Sequence, residues 1–206
     1  MMKEGILFVL SGFSGAGKGT LVRELIENND RFALSVSATT REPREGEIHG
    51  VHYFYVSEER FREMIRAEEL YEYARYQDHF YGTPRAYVDE QLAAGKDVIL
   101  EIDVQGARNI KKRFPDTVLI FVTTPSAKIL RERLLGRGTE SPEKVAGRLK
   151  RAAEETSWMA DYDYILVNDD LAEAVAVLEG IVAAEHAKSS RCGDLIRQIT
   201  KELQEF

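Results

Sequence analysis

Residues 11–20 read SGFSGAGKGT, a glycine-rich stretch with one lysine that directly follows the apolar run ILFVL. The stretch fits the pattern G-x-x-x-x-G-K, in which glycines let the backbone turn tightly and present N–H groups to phosphate oxygens. A helix that begins near the lysine adds its positive end, and the lysine can reach the outer phosphates of a nucleotide. The alternative is a strand–helix turn without a ligand. The residues predicted to bind nucleotide phosphates are Gly12, Phe13, Ser14, Gly15, Ala16, Gly17, Lys18, Gly19 and Thr20.

One position in this loop is unusual. Gly19 stands where a phosphate loop commonly carries a hydroxyl ligand for Mg²⁺, and Thr20 follows it. The ending GKGT resembles that of nucleoside monophosphate kinases. In such a site Mg²⁺ is held mainly by the nucleotide phosphates and by water, which suits an ion that dehydrates reluctantly. The motif, together with the lack of an N-K-x-D sequence, favours small-molecule phosphotransfer over a GTPase switch.

A second anion site is predicted within residues 39–56, TTREPREGEIHGVHYFYV. Arg41 and Arg44 flank Pro43, which stiffens the chain between them. Paired guanidinium groups clamp a phosphate through planar, bidentate contacts, and Tyr53 offers a phenol close by. The alternative is a pair of surface charges on a loop. A donor and an acceptor of phosphate need two anion sites, and this segment supplies the second.

The elements that must position these residues follow from the apolar pattern. Continuous runs rich in Val, Ile and Leu indicate strands that are covered on both faces, and their alternation with helical spacing predicts a doubly wound α/β core with a parallel sheet. The predicted strands are residues 5–11, 32–37, 97–103, 117–122 and 162–168, and the predicted helices are residues 21–28, 107–113, 127–135, 142–159 and 172–187.

Three segments interrupt or extend this core, which we expect to comprise residues 4–37 and 91–186. Residues 38–90, rich in tyrosine and charge, carry two short strand-like runs and predict an inserted mixed β subdomain. Residues 136–147 predict a short helical lid. Residues 187–206 predict a C-terminal extension with a short amphipathic helix. We expect this helix to pack either on its own domain or on a second copy of the chain. The sequence is therefore compatible with a homo-oligomer.

Composition narrows the classes of function. The formal net charge of −7 argues against a broad basic surface for nucleic acid, so any polyanion must meet a local cluster of cations. The single cysteine, Cys192, excludes an internal disulfide bond and fits a reducing cytosol. No apolar run approaches the length of a membrane helix, and the N-terminus does not fit a signal peptide. We therefore expect a cytoplasmic protein without membrane or nucleic-acid partners.

The segment 39–56 resembles the signature of the guanylate kinase family, because TR, a second arginine three residues on, an acidic residue, a glycine and YFY fall in register. The resemblance continues through SVSATTR, YGTP, LEIDVQGA, RLLGRGTES and VNDD, and it covers about residues 5–186. It implies a P-loop kinase core with a five-stranded parallel sheet, a GMP-binding insert at residues 38–90 and a lid. It also implies Mg²⁺-dependent transfer of a phosphoryl group from ATP to GMP, and to dGMP, in purine nucleotide metabolism.

The resemblance also assigns roles to individual residues. On the acceptor side, Glu72 matches the glutamate that binds guanine, and one of Glu101 and Asp103 is expected to bind the guanine 2-amino group, since residues two apart on a strand share a face. The family more often has aspartate where Glu101 stands. The hydroxyls expected to contact the base are those of Ser37 and Thr83. The residues expected to clamp the acceptor phosphate are Arg41, Arg44, Tyr53 and Tyr81.

On the donor side, the resemblance implies that arginines of the lid region bind the ATP phosphates and neutralise charge during transfer. These residues are Arg133, Arg137 and Arg148, and Asn168 is expected to line the adenine pocket. The expected catalytic residues are Lys18, Arg41, Arg137 and Arg148. The expected Mg²⁺ contacts are Thr20 and Asp103, the latter through water.

Two other functions stay open at this level. Guanylate-kinase-like domains also serve as non-catalytic peptide-binding modules, which usually have a degraded phosphate loop and neighbouring interaction domains. A kinase for another nucleoside monophosphate or small metabolite is the second alternative. The intact loop, the paired arginines and Glu72 favour the guanylate kinase hypothesis over both.

Overall fold

The computed structural model describes residues 4–27, 29–76, 78–136 and 141–206. Within these ranges the strands, in chain order, are β1 (Leu7–Gly12), β2 (Phe32–Leu34), β3 (Ala38–Thr39), β4 (Phe54–Tyr55), β5 (Leu70–Tyr76), β6 (His79–Pro84), β7 (Asp97–Glu101), β8 (Val118–Thr123) and β9 (Tyr164–Val167).

Helices follow or separate the strands along the chain. They are α1 (Lys18–Glu27), α2 (Glu58–Arg66), α3 (Arg85–Ala93), α4 (Val104–Arg113), α5 (Ala127–Gly136), α6 (Pro142–Glu155), α7 (Leu171–Ala187) and α8 (Gly193–Leu203). Two 3₁₀ helices, Thr156–Asp161 and Ser189–Arg191, follow α6 and α7.

The larger sheet has five parallel strands in the order β2-β7-β1-β8-β9. Its middle strands are buried on both faces, and all six residues of β8 are buried. Burial on both faces explains why these strands appear in the sequence as unbroken apolar runs. The predicted five-stranded parallel sheet is confirmed, with its strands at the predicted places.

Two predicted strands end earlier than expected. Residues 32–37 form a strand only as far as Leu34, because the chain then leaves the sheet to enter the second sheet at Ala38. Residues 97–103 form a strand only as far as Glu101. Asp103 instead caps α4, where its Oδ1 accepts a hydrogen bond from the N–H of Gly106 at 2.8 Å. An acceptor at this position satisfies one of the free N–H groups of the helix start.

The smaller sheet is mixed and has the order β4-β3-β6-β5. β3 pairs with β4 in parallel and with β6 antiparallel. Helix α2 covers it and begins at Ser57, whose hydroxyl accepts a hydrogen bond from the N–H of Arg60. This sheet has its own small core, separate from that of the parallel sheet; its buried residues are Ala38, Phe61, Met64 and Leu70.

The C-terminal helix α8 lies within the segment 189–206, where an amphipathic helix was expected. Its apolar residues are roughly half exposed: Leu195, Ile196, Ile199 and Leu203. Across the described ranges, we find no helix with both the length and the apolar composition needed to cross a bilayer.

Candidate active site

The predicted phosphate loop connects β1 to α1 at the carboxyl edge of the parallel sheet. Gly12, Gly15 and Gly17 have φ values of 137°, 95° and 88°, which residues with a side chain rarely adopt. A Cβ at Gly12 would also lie 2.0 Å from the carbonyl oxygen of Val122 on the neighbouring strand. The glycine-rich sequence is therefore explained by the backbone path and by close packing against β8.

Lys18, the first residue of α1, folds back over this loop. Its Nζ donates hydrogen bonds to the carbonyl oxygens of Gly12 at 2.8 Å and Phe13 at 3.2 Å, so the ammonium group lies above the loop. Desolvation raises the pKa of Glu101 at the end of β7, and the charge of Lys18 opposes this shift. The lysine is thus placed between the loop and an acidic group of the next strand.

The unusual loop position lies beside an acidic side chain. A Cβ added to Gly19 would lie 3.5 Å from Oε2 of Glu101, which is an ordinary van der Waals distance. Thr20, the next residue, is exposed on α1. An acidic side chain from β7 therefore stands close to the position where many phosphate loops present a hydroxyl.

Two predicted donor-side residues support the loop from behind. The amide Nδ2 of Asn168, which is buried, donates to the carbonyl oxygen of Ala16 at 2.9 Å. Arg133 on α5 donates to the backbone carbonyls of Asn168 at 2.9 Å and Asp169 at 3.2 Å. Arg133 also lies close to Gly17, since its Nη1 would be 4.0 Å from a Cβ there. These residues connect the loop to the far edge of the sheet.

We expect Asn168→Ala to weaken ATP binding and to lower stability. The change leaves the buried carbonyl of Ala16 without its donor, which costs about 1–3 kcal/mol, while the backbone contact with Arg133 persists. Thermal melts and steady-state kinetics should show a lower Tm and a raised KM for ATP, with the KM for GMP unchanged. Gln198→Ala, which removes an exposed amide of α8, is the control and should change neither quantity. An unchanged KM for ATP would contradict this role for Asn168.

A polar cleft of ≈ 410 Å³ opens in front of the loop. Helix α6 forms one wall, and Nη1 of its Arg148 donates to the hydroxyl of Ser14 in the loop. Arg151 lies one turn further along the helix, 3.7 Å from Oδ2 of Asp103. The cleft thus brings together four residues to which the sequence analysis assigned roles: Lys18, Glu101, Asp103 and Arg148. Arg137 lies outside the described residues, as do residues 138–140 of the predicted lid, while residues 142–147 form the start of α6.

The predicted acceptor-phosphate residues lie in the smaller sheet and the loop before it. Nη2 of Arg41 makes a bifurcated contact with Glu47, at 2.9 Å to each carboxylate oxygen. Glu47 also accepts from the backbone N–H of Arg44 and the hydroxyl of Tyr55. The hydrogen bond from Arg41 lowers the pKa of Glu47 to about 2. Glu47 therefore holds the Arg41 guanidinium in place, while the Arg44 side chain is exposed.

Aromatic rings complete this clamp. The Arg41 guanidinium lies 5.5 Å from the ring centre of Tyr53, and the rings of Tyr53 and Tyr81 are 5.9 Å apart. Burial raises the pKa of Tyr53, so its phenol keeps its proton and can act as a donor. Ser37 lies directly before β3, where its carbonyl accepts from the N–H of Phe54 at 2.8 Å. A guanidinium and two phenols on one surface suit a phosphate monoester.

The predicted base-binding carboxylate is buried. Glu72 on β5 is 8% exposed, and its Oε1 accepts a hydrogen bond from the hydroxyl of Thr83 at 2.9 Å. Burial raises the pKa of Glu72 to about 7, and the charge of Asp103 acts in the same direction. A Cβ at Gly106 would lie 3.4 Å from both Oε2 of Glu72 and Oδ1 of Asp103. The two carboxylates therefore meet at the first turn of α4.

Strand β6 links the clamp to this pocket. Tyr81 and Thr83 are two residues apart on it and so face the same side of the sheet. The acceptor site thus extends from Arg41, through the two phenols, to Glu72. Its order along one surface matches a molecule with a phosphate at one end and hydrogen-bond donors at the other.

The sequence analysis assigned no role to four residues of this site. Glu47 and Tyr55 hold Arg41, and Arg151 reaches Asp103 from α6. Glu155 accepts from Nε of Arg151 at 3.2 Å. The spacing of Arg148, Arg151 and Glu155, three and then four residues apart, is the signal of a shared helix face that could have found the last two.

The comparisons with known proteins agree with this architecture. A sequence model of the family described as guanylate kinase matches residues 4–185. The chain is 48% identical over 201 residues to the guanylate kinase of Clostridioides difficile, with 98% of each chain covered. It is 49% identical over 203 residues to that of Lactobacillus acidophilus, covering 98% of this chain and all of the relative (100%). The crystal structure of guanylate kinase from Anaplasma phagocytophilum aligns with a TM-score of 0.72 at 34% identity, covering 93% of this chain and 92% of that one. The chain therefore belongs to the guanylate kinase family.

Proposed function

We propose that ATP binds at the phosphate loop, that GMP binds along the smaller sheet, and that the γ-phosphoryl group passes between them at Glu101. As a member of the family, the chain is an ATP:GMP phosphotransferase. Under this proposal, the ATP phosphates are bound by Lys18, Arg133, Arg148 and Arg137, the last of which lies outside the described residues. The GMP phosphate is bound by Arg41, Arg44, Tyr53 and Tyr81. The base is bound by Ser37, Glu72, Thr83 and Asp103.

One observation carries this proposal. Lys18 of the phosphate loop, Glu101 and Asp103 line one cleft, and Asp103 borders Gly106 together with Glu72 of the acceptor pocket. The donor cleft therefore extends to the acceptor pocket at the end of β7. Two anionic ligands, one in each site, would meet end to end there.

Phosphoryl transfer requires aligned reactants and stabilisation of negative charge, and the site provides both. In phosphoryl transfer the protein forms no obligatory covalent bond, and the rate comes from alignment and from stabilising charge on the transferred group. Lys18 and Arg148 would stabilise the donor phosphates, and Arg41 would fix the acceptor oxygen in line. We further propose that the insert at residues 38–90 and the lid at residues 136–147 close over both nucleotides and exclude water.

The oxygen donors near the loop suit a hard cation that arrives with ATP. Among the described residues, no three His, Cys, Asp or Glu side chains gather into a metal-binding group, so Mg²⁺ would keep phosphate and water ligands. Thr20 and Glu101 would contact its shell, while Asp103, already engaged with Gly106 and Arg151, stands nearer the base pocket. When bound, Mg²⁺ neutralises charge on the phosphates.

Two wider proposals concern location and assembly. We propose a cytoplasmic location, which fits the single cysteine. We also propose that the half-exposed apolar face of the extension at residues 187–206 packs against a second copy in a homo-oligomer.

A coupled assay of ADP release tests the proposed reaction. The purified protein is given ATP and Mg²⁺ with GMP, dGMP, AMP, UMP or CMP in turn. We expect turnover with GMP, weaker turnover with dGMP, and little with the others, since adenine and the pyrimidines lack the paired donors that Glu72 accepts. Comparable rates with AMP would contradict the assignment of the base pocket.

We expect the affinity for GMP to fall as the pH falls through about 7. The ionised carboxylate of Glu72 accepts both donors of guanine, and burial raises its pKa to about 7, so protonation in this range removes the acceptor. Below pH 7, kcat/KM for GMP should decline by up to about tenfold per pH unit, while the KM for ATP stays flat. The GMP phosphate also titrates near pH 6, and Glu72→Gln isolates that contribution. Identical profiles for the two proteins would contradict the role of Glu72.

A further inference from the structure

Arg151 joins two parts of the site that otherwise belong to different nucleotides. It lies on α6 with Arg148, one turn away, and Arg148 contacts Ser14 of the phosphate loop. Arg151 points instead to Asp103 at the start of α4, where Nη2 is 3.7 Å from Oδ2. A single helix therefore contacts the donor site with one arginine and the acceptor site with the next.

The two oxygens of Asp103 have separate partners. Oδ1 accepts from the N–H of Gly106 at 2.8 Å and caps α4. Oδ2 faces Arg151 at a distance longer than a direct hydrogen bond, so the contact is an ion pair that leaves this oxygen able to accept from a ligand. Asp103 is thus oriented by the helix on one side and by a cation on the other.

Arg151 also lies beside a pair of carboxylates. A Cβ at Gly106 would lie 3.4 Å from both Oε2 of Glu72 and Oδ1 of Asp103, in the first turn of α4. Arg151 approaches this pair at the other oxygen of Asp103, Oδ2. Its guanidinium therefore restrains the Asp103 carboxylate without occupying the side that faces Glu72.

A hydrogen bond within α6 orients Arg151. Its Nε donates to Glu155 at 3.2 Å, and the Glu155 side chain is only 16% exposed. Beside it, the Arg108 guanidinium of α4 lies 3.4 Å from the ring centre of Trp158, in the 3₁₀ helix that continues α6. This contact links α4, which Asp103 caps, to the segment that follows Arg151 on α6.

We propose that Arg151 is a positioning residue for recognition of the acceptor base: its ion pair with Asp103 holds that carboxylate in the orientation in which Oδ2 accepts a hydrogen bond from the 2-amino group of guanine. The inference rests on the proposed function. It adds a residue of the donor-side helix to the determinants of base specificity.

The test compares GMP with IMP, which lacks the 2-amino group. We expect Arg151→Gln to lower the ratio of kcat/KM for GMP to that for IMP about tenfold. The loss should appear for GMP alone, with kcat/KM for IMP and the KM for ATP within about twofold of the parent. Arg151→Lys should restore part of the ratio because it returns the charge. Lys150→Gln, which removes an exposed cation one residue away, should leave the ratio unchanged.

A double-mutant cycle separates positioning from general damage. Asp103→Asn should lower the same ratio, and adding Arg151→Gln to it should lower the ratio no further, since both act through one oxygen. An unchanged ratio in Arg151→Gln, an equal loss for GMP and IMP, or full additivity in the cycle would overturn the inference. Calorimetric Kd values for GMP and IMP give the same ratio without turnover. Failure of the parent to phosphorylate GMP would therefore count against the proposed function. A ratio of GMP to IMP affinity that Arg151→Gln leaves unchanged would count against the role of Arg151.

Discussion

Lys18→Ala is expected to reduce kcat by about 10²- to 10³-fold while leaving the fold intact. The ammonium group is the cation held directly above the phosphate loop, and removal of one preorganised charge from a phosphoryl-transfer site has an effect of this order. Two of its hydrogen bonds go to carbonyls of the loop. Lys18 and Gly12 line the open cleft, where water can reach the Gly12 carbonyl once the lysine is removed. The change should therefore act on the reaction rather than on stability.

Three measurements check this expectation. Coupled assays give kcat, thermal melts give stability, and calorimetry with GMP reports whether the acceptor site is intact. Arg23→Ala removes an equal charge from the exposed face of α1 and should retain the activity of the parent. Near-normal turnover in Lys18→Ala, or an equal loss in Arg23→Ala, would show that Lys18 has no special role.

Glu72→Gln is expected to raise the KM for GMP by about 10- to 100-fold with little change in the KM for ATP. The carboxylate can accept from both N1–H and the 2-amino group of guanine, whereas the amide presents one acceptor and an opposing donor. Loss of hydrogen bonds to a charged group and a mismatched polar contact have effects of this size. Glu69→Gln, at an exposed residue that pairs with Arg60, is the control. Equal losses for both nucleotides would argue against base recognition.

The same substitution should stabilise the protein without ligand. Burial raises the pKa of Glu72 from 4.5 to about 7, so the fold disfavours the ionised form. Stability is unaffected below about pH 4.5, declines as pH rises between the two values, and stays reduced above about pH 7. Glutamine has no proton to lose, so Glu72→Gln should be more stable than the parent at pH 8, by on the order of 1–3 kcal/mol. If the Tm of Glu72→Gln at pH 8 were lower than that of the parent, the ionised Glu72 carboxylate would not be destabilising the fold.

Much of the fold was accessible from the sequence because its signals are local. The unbroken apolar runs predict the five parallel strands, and the spacing of glycines and lysine predicts the loop after β1. The ends of strands were less accessible, since Leu34 and Glu101 end strands where the chain turns toward other elements. Residue type alone does not show where the chain leaves the sheet.

The site was predictable in its residue types but not in its pairings. Arg41 could be expected to bind phosphate, yet the contact that orients it comes from Glu47 and depends on the path of the loop. Asp103 could be expected to face a ligand, yet its contact with Arg151 depends on how α6 lies beside the start of α4. Long-range contacts of this kind leave no periodic trace in the sequence.

The hydrogen bond from Asn168 to Ala16 joins residues 152 positions apart in the chain, because β9 must pair with β8 before the amide reaches the loop. A polypeptide emerging from the ribosome displays the whole glycine-rich motif early, long before the strand that braces it has been translated. Since synthesis runs from the N-terminus, the residues of the second substrate's pocket, up to Asp103, are also made before this strand. A nascent chain therefore carries the acceptor pocket before the loop that binds ATP is fully braced.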